Sequence, residues 1–541
     1  MDICELHINA LNTVEVIRVM DIEALEIRNL TRRRILHTAI FAFVEITSLI
    51  FLYSQCDSYT YIIGAAIIIL LSVSVYLIFL SSNGPSLLKR YIIASLISGV
   101  FFTFVFPPIS VPDEMYHFTA SYWYASSVLG KSDILDSSSI SIRKEDRSFV
   151  EDLSQGNVTA EEYARTAKAF SWFESSDEME AIEGYSFDLG SNPPQLKLPS
   201  AFGILIARLL HLGSVPLFYF GRIINLLYFI VLTSLAIRFA PIGKSIFCAV
   251  SMLPMTLHLA ASYSYDGGIL GLSFLFVSLL LKAIFENGPI EKREILSLAV
   301  VAILLAPCKV IYSVAVAMVV FIPNGRFASR KQSIIFKIAL PLMMLCSVII
   351  LRLPAMLTMA GGSAGPQTHD GITGNYYTLG ALLADPIGSA LMLMKTIFAL
   401  FDFYWISAIG GSLSRFQGSI AAPHYLVVIY LVLLFISTIP ESSEDNRLTA
   451  ATKTAGIICF LLSVLGSMVA MWIGWTFDNE SIIQGVQGRY FLPLLPLFLI
   501  AIRPKRIIAS FPVSESVVSA SFILNSIYMI FILFCAFSSL G

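Results

Sequence analysis

The stretch Pro107-Pro108-Ile109-Ser110-Val111-Pro112-Asp113-Glu114-Met115-Tyr116-His117 sets two adjacent carboxylates and a histidine just beyond an apolar run, Tyr91 to Phe106. Proline has no N–H and clashes with the preceding turn, so the double proline ends the run and leaves Asp113 and Glu114 on a fixed, non-helical corner. Ionisable groups at a membrane boundary are costly to hold there, which points to a functional role. Other such residues stand far along the chain: Arg222 in Phe220-Gly221-Arg222, Asp266 before Gly267-Gly268, Lys309 in Pro307-Cys308-Lys309, and Arg489-Tyr490 after Gly485-Val486-Gln487-Gly488. Two or three carboxylates at one interface can bind a divalent cation or deprotonate a hydroxyl, and a nearby Lys and Arg can hold a phosphate. Together they suit transfer from a lipid phosphate. A base activates the acceptor hydroxyl, and cations stabilise the phosphate as charge develops on it.

Each residue also has a plainer reading. Asp113 and Glu114 could be a helix N-cap pair, and Asp266 could cap the helix that follows it. Lys309 could snorkel to headgroups and Arg489 could anchor beside Tyr490. His117 could be a packed interfacial histidine. At Arg222, anchoring and lipid-phosphate binding cannot be separated.

The elements that must position these residues are membrane helices. Of 541 residues, 56% are hydrophobic and 13% charged, with a mean hydropathy of +0.78. A soluble domain lacks so much apolar surface, so the fold class is an all-α polytopic membrane protein. Apolar runs near 35–53, 61–80, 90–106, 216–237, 245–262, 268–285, 293–306, 309–323, 334–351, 422–438, 452–473, 490–502 and 516–538 give about 13 transmembrane helices. Placing the Lys- and Arg-bearing short loops in the cytoplasm, as the positive-inside rule requires, puts the N-terminus inside. It also sends Asp113, Glu114, His117, Asp266, Lys309 and Arg489 to one outer face. The outer loop 112–198 carries 16 Asp plus Glu against 7 Lys plus Arg between 112 and 197, as expected of a translocated segment. Within it, 159–173 reads as helix and 137–141 as linker. An interfacial helix over 199–212 follows. The apolar stretch 386–405 reads as a juxtamembrane helix. The chain therefore divides into a cytoplasmic segment (1–34), two extra transmembrane helices (35–90), a main membrane domain (91–505) and a C-terminal transmembrane helix (506–541). Its seven cysteines are scattered and form no CxxC pair, so they read as buried hydrophobes. No basic run suggests nucleic acid.

The blocks PPISVPDEMYHF, NPPQLKLP, GRIINLL, LPMTLHLAASYSYDGG, PCKVIY and GVQGRYFLPLLPL, in this order over about 100–505, resemble the bacterial predicted membrane protein family known as domain of unknown function 2142. That family in turn resembles the GT-C fold glycosyltransferases. The resemblance implies a GT-C-like bundle at the bacterial inner membrane. The implied activity is an inverting sugar transfer, for polysaccharide biosynthesis, from a polyprenyl-phosphate donor to a cell-envelope glycan or lipid acceptor on the outer face. In that reading Asp113 is the general base or metal ligand with Glu114 beside it, and Asp266 is the second outer-loop acid. Lys309 and Arg489 meet the lipid phosphate in that reading; His117, Arg222 and Tyr490 are further substrate-binding candidates from the residues themselves. A divalent cation, Mg or Mn, would lie between Asp113 and Asp266, as in those GT-C members that use a metal. The chain departs from the pattern in its two extra N-terminal apolar runs. The sequence shows no glycine-rich phosphate loop after a strand, which favours a lipid-linked donor over a nucleotide sugar. A transporter or flippase of lipid-linked saccharides would place charges at mid-helix along a path and show internal repeats. A polymerase would rely on arginine-rich outer loops.

Overall fold

Proline, glycine and helix caps decide how the apolar runs become helices. The structure, a computed structural model, describes residues 35–538 apart from 37, 44, 48–49, 51–53, 55, 57, 82–84, 132–138, 184–192, 361–366, 370–371, 415–419 and 443–447. The segment 1–34 and part of the run 35–53 lie outside the described residues. Among the described residues, seven helices are long and apolar enough to cross a membrane: Tyr59–Leu80, Leu87–Val105, Ser214–Phe239, Asp266–Phe285, Arg330–Leu353, Ala450–Trp475 and Val513–Phe537. The count is eight if Pro386–Ala399 and Phe401–Ile409, bent by 57° at their junction, form one broken span.

The expectation of about thirteen crossings exceeds this because several runs are interrupted. The run 245–262 breaks into Lys244–Ser251 and Pro254–Ala260, with Pro254 opening the second piece. The run 490–502 is a 3₁₀ segment, Gly488–Leu494, followed by the short helix Leu495–Ala501. His424–Ser437 has only 14 residues. Lys292–Leu305, also 14 residues, starts from a capping box in which Glu291 and Glu294 satisfy each other's backbone. Val310–Phe321 is a 3₁₀ helix of 12 residues. At roughly 2.0 Å per residue it reaches about 24 Å, where an α-helix of equal length covers about 18 Å. The 386–405 stretch is a bent helix pair rather than a single juxtamembrane helix.

Ion pairs mark the two ends of the bundle. Asp266 opens the central, mostly buried helix Asp266–Phe285, and Lys282 stands in its last turn, roughly 24 Å along the axis. At that far end Glu294 receives Lys282 at 2.7 Å and Arg326 at 3.2 Å. Arg326 also donates to the Lys282 and Ala283 carbonyls, closing the helix C-terminus. At the Asp266 end lies the segment 112–198, with its own apolar core of Met115, Phe118, Tyr122, Ile140, Phe149 and Ile182 packed against Phe218 and Tyr263. The expected linker 137–141 is, from Ser139, a strand. Ser139–Arg143 pairs antiparallel with Met179–Glu183, Ile140 facing Ile182. A buried bidentate pair, Arg143 to Asp146, and the Tyr122 hydroxyl at 2.7 Å from Asp146 brace this layer. The expected helix over 159–173 spans only Ala160–Lys168, and Phe173 bridges to Leu212 instead. The interfacial helix begins earlier than its apolar run, at Pro194, and ends at Leu209.

Candidate functional site

The corner 107–113 is set by a buried ion pair. Glu114 and Arg222 both have fully buried side chains. Arg222 donates Nε to Glu114 Oε1 at 2.8 Å and Nη2 to Oε2 at 2.7 Å. Its remaining N–H groups reach the carbonyls of Thr103, Phe106 and Pro107, which the end of Leu87–Val105 and the double proline leave without helical donors. Glu114 also accepts from the Val111 and Tyr263 amides. With every part of this pair engaged inside the protein, Glu114 and Arg222 act as a clamp between the corner, the Ser214–Phe239 helix and the turn before Asp266. Both side chains are buried and their polar atoms are taken up by one another and by backbone groups, in contrast to the expectation that Glu114 works beside Asp113 and that Arg222 meets substrate. The cause is the onset of the helix: Glu114 is its first residue and lies one turn from Phe118, which packs in the core, while Asp113 stands before the helix and is exposed.

Asp113 occupies the position before the helix Glu114–Val128, in the left-handed region at φ 59°. Its carboxylate makes no capping bond and the residue is exposed. The plain N-cap reading therefore does not hold for its side chain. Ile109, four residues earlier, is a second non-glycine residue at positive φ (64°). Such a conformation persists only where its surroundings over-determine it. Here the Arg222 clamp, the Gly156 amide bonded to the Ile109 carbonyl and the Ser414 hydroxyl bonded to the Ser110 carbonyl do so.

The remaining predicted residues converge. Asp266 pairs with Lys309, Nζ to Oδ1 at 3.0 Å, and Arg489 Nε lies 3.6 Å from Oδ2. The Lys309 ammonium sits 4.4 Å from the centre of the Tyr490 ring and 5.2 Å from that of Tyr265, while the Arg489 guanidinium lies 5.4 Å from Tyr490. Three elements are locked together to achieve this. Asn225 bonds the Ser262 and Ser264 carbonyls of the turn before Asp266, Tyr312 bonds the Tyr490 carbonyl, and the Gly488 amide bonds the Ser407 hydroxyl. Gly488 has to be glycine, since a Cβ there would lie 1.8 Å from the Tyr404 carbonyl oxygen.

His117 joins the cluster through a residue that sequence reasoning missed. Lys197, in the first turn of Pro194–Leu209, is 1% exposed, with its Nζ 2.6 Å from His117 Nδ1. It lies over the rings of Tyr265 at 5.4 Å and Tyr116 at 5.9 Å. Burial pushes the Lys197 amine well below its usual range, against the opposing pull of Asp266 and Asp113. Burial, then the charges of Lys197, Arg489 and Lys309, pushes the His117 imidazole well down too. These couplings bring Asp113 within electrostatic reach of Lys197, and it also acts on Arg489. The signal available in sequence was a single lysine in the apolar block Leu196-Lys197-Leu198, just ahead of the run taken as the helix.

Lys309, Arg489 and the basic Lys197–His117 pair thus gather near Asp266, an arrangement that suits an anion. It is a poor one for a divalent cation. Asp266 already faces Lys309 and Arg489, His117 presents Nδ1 to Lys197, and among the described residues no three His, Cys, Asp or Glu are grouped to hold a metal ion. The expected cation between Asp113 and Asp266 therefore does not fit the donor set. A family model described as predicted membrane protein (DUF2142) matches residues 96–498. No curated protein and no solved structure matches the chain.

Proposed function

The chain belongs to the predicted membrane protein family DUF2142, and we propose that it is a membrane glycosyltransferase moving a sugar from a polyprenyl-phosphate donor to an envelope glycan or lipid on the outer face of the bacterial inner membrane. The observation that carries this reading is the meeting of Lys309, Arg489 and Lys197 around Asp266, at the end of a membrane-spanning helix, with an exposed and uncapped Asp113 within their field. A lipid headgroup would enter from the bilayer rim with its chain among the helices and its phosphate against the cations. Lys309 and Arg489 would exchange part of their pairing with Asp266 for the phosphate, which holds them in place beforehand.

In the transfer, Asp113 accepts the proton of the acceptor hydroxyl as that oxygen forms a bond to the anomeric carbon. The bond from that carbon to the phosphate oxygen breaks, and its electron pair leaves with the phosphate, stabilised by the cations. Attack opposite the leaving group inverts the anomeric centre. No step runs through a metal.

The test compares the envelope glycans and lipids of cells making the wild-type chain with those of cells making Asp113→Asn. The variant should insert and fold normally while the modification disappears, and full modification would remove Asp113 as the base. Lys309→Ala and Arg489→Ala should raise the donor KM more than the acceptor KM.

A further inference from the structure

Two basic nitrogens 2.6 Å apart, on side chains only 1% and 5% exposed, cannot both be protonated cations. One proton on Lys197 can be shared toward His117, or the pair can be neutral with a single N–H linking the two nitrogens. The groups facing the pair are Tyr116 on its own helix, Asp113 at the corner, Tyr265 and Asp266 on the next turn, Lys309 after Pro307, and Arg489 on the 3₁₀ segment. Without the pair, Lys309 and Arg489 balance Asp113 and Asp266. A neutral Lys197–His117 pair therefore leaves the site without net charge, and an incoming monoanion would leave it one charge short. We propose that Lys197 and His117 form the seat for the phosphodiester group of the donor and that its binding draws one proton from solvent onto the pair. This rests on the transferase reading for the identity of the anion, and it deepens that reading by assigning the phosphate contact and a coupled proton to the Lys197–His117 pair.

The linkage has a definite sign. A proton bound more tightly in the complex makes affinity rise as pH falls, by about tenfold per pH unit over the range between the free and bound titrations. The seat also has a definite preference. Its donors serve a singly charged diester, and Asp266 beside them opposes a second negative charge.

The test uses the purified full-length protein in lipid nanodiscs with methyl dodecyl phosphate as the probe. A dialkyl phosphate stays a monoanion through the neutral range, unlike a monoester with its second ionisation near pH 6, so any proton taken up belongs to the protein. Calorimetric titration in two buffers of different ionisation enthalpy, from about pH 6 to about pH 9, counts the protons; this interval lies between or near the ordinary histidine and lysine values. About one proton should be taken up per probe bound at the alkaline end. Lys197→Met and, separately, His117→Gln should lose both the uptake and the pH slope. Binding of the wild-type chain without proton exchange overturns the coupling and leaves the transferase reading standing, as does uptake that persists in both variants. Proton-linked binding in a chain whose Asp113→Asn variant transfers sugar at the full rate leaves the seat standing and sinks the proposed base. No binding at any pH overturns the seat and the lipid-phosphate donor together.

Discussion

Replacing Arg222 decides between a residue that meets substrate and one that holds the fold. Its guanidinium makes two bonds to Glu114 and three to the carbonyls of Thr103, Phe106 and Pro107, all in a fully buried setting. Glu114→Gln keeps the shape but leaves the guanidinium without a counter-charge, and breaking a buried pair from one side costs about 3–5 kcal/mol. Arg222→Lys keeps the charge but replaces a rigid five-donor fork with one ammonium, which cannot span five acceptors. The Pro107 carbonyl keeps the Ser110 amide and hydroxyl, but the Thr103 and Phe106 carbonyls lose their guanidinium donor at about 1–3 kcal/mol each, so the loss is again several kcal/mol. In either variant the folded-to-unfolded ratio falls by hundreds to thousands. The assay is thermal unfolding of the purified protein in detergent, run beside the donor-binding titration. Both variants should unfold at clearly lower temperature, and the double variant should cost less than the sum of the singles because the two residues act as one unit. An Arg222→Lys protein that melts with the wild type yet loses donor binding would refute the clamp and return Arg222 to the substrate.

Other outcomes follow from the same geometry. Asp266→Asn frees Lys309 and Arg489 from their counter-ion, so methyl dodecyl phosphate should bind more tightly by about 1.5 kcal/mol, roughly tenfold, in the calorimetric titration. Unchanged or weaker binding would mean that Asp266 touches the ligand itself. Gly488→Ala forces the 3₁₀ segment away from the Tyr404 carbonyl, and with it Arg489. It should destabilise the protein by about 1–3 kcal/mol and weaken probe binding at temperatures where the chain is still folded. For orientation, a cysteine at the exposed position Glu161 should react with an impermeant maleimide in intact cells. Reaction only after permeabilisation would turn the proposed topology over. Position 140 is unsuited to that test because Ile140 is buried in the strand pairing.

What could be read from the sequence, and what could not, divides along one physical line. Hydropathy marks where apolar residues run, and alternation of ends sends Asp266, Lys309 and Arg489 to the same face; both are sums over many residues and tolerate local error. The number of crossings depends instead on single residues such as Pro254 and on a 3₁₀ geometry over Val310–Phe321 that composition does not announce. The site shows the same split. Two adjacent acids, Asp113 and Glu114, look alike in a string, yet the onset of a helix between them turns one outward and buries the other against Arg222. Lys197 shows the converse, since its charge looked incidental until Pro194 started the helix early and set the amine against His117. The convergence of Asp266, Lys309 and Arg489 was therefore legible from residue types and topology. Which acid is free and which base is paired was not, because a shift of one residue in helix phase or of five in a helix start exchanges the roles. An ionisable residue in an apolar block should accordingly be weighed by the helix phase of its neighbours, and here the helix onset leaves Asp113, and not Glu114, as the exposed acid.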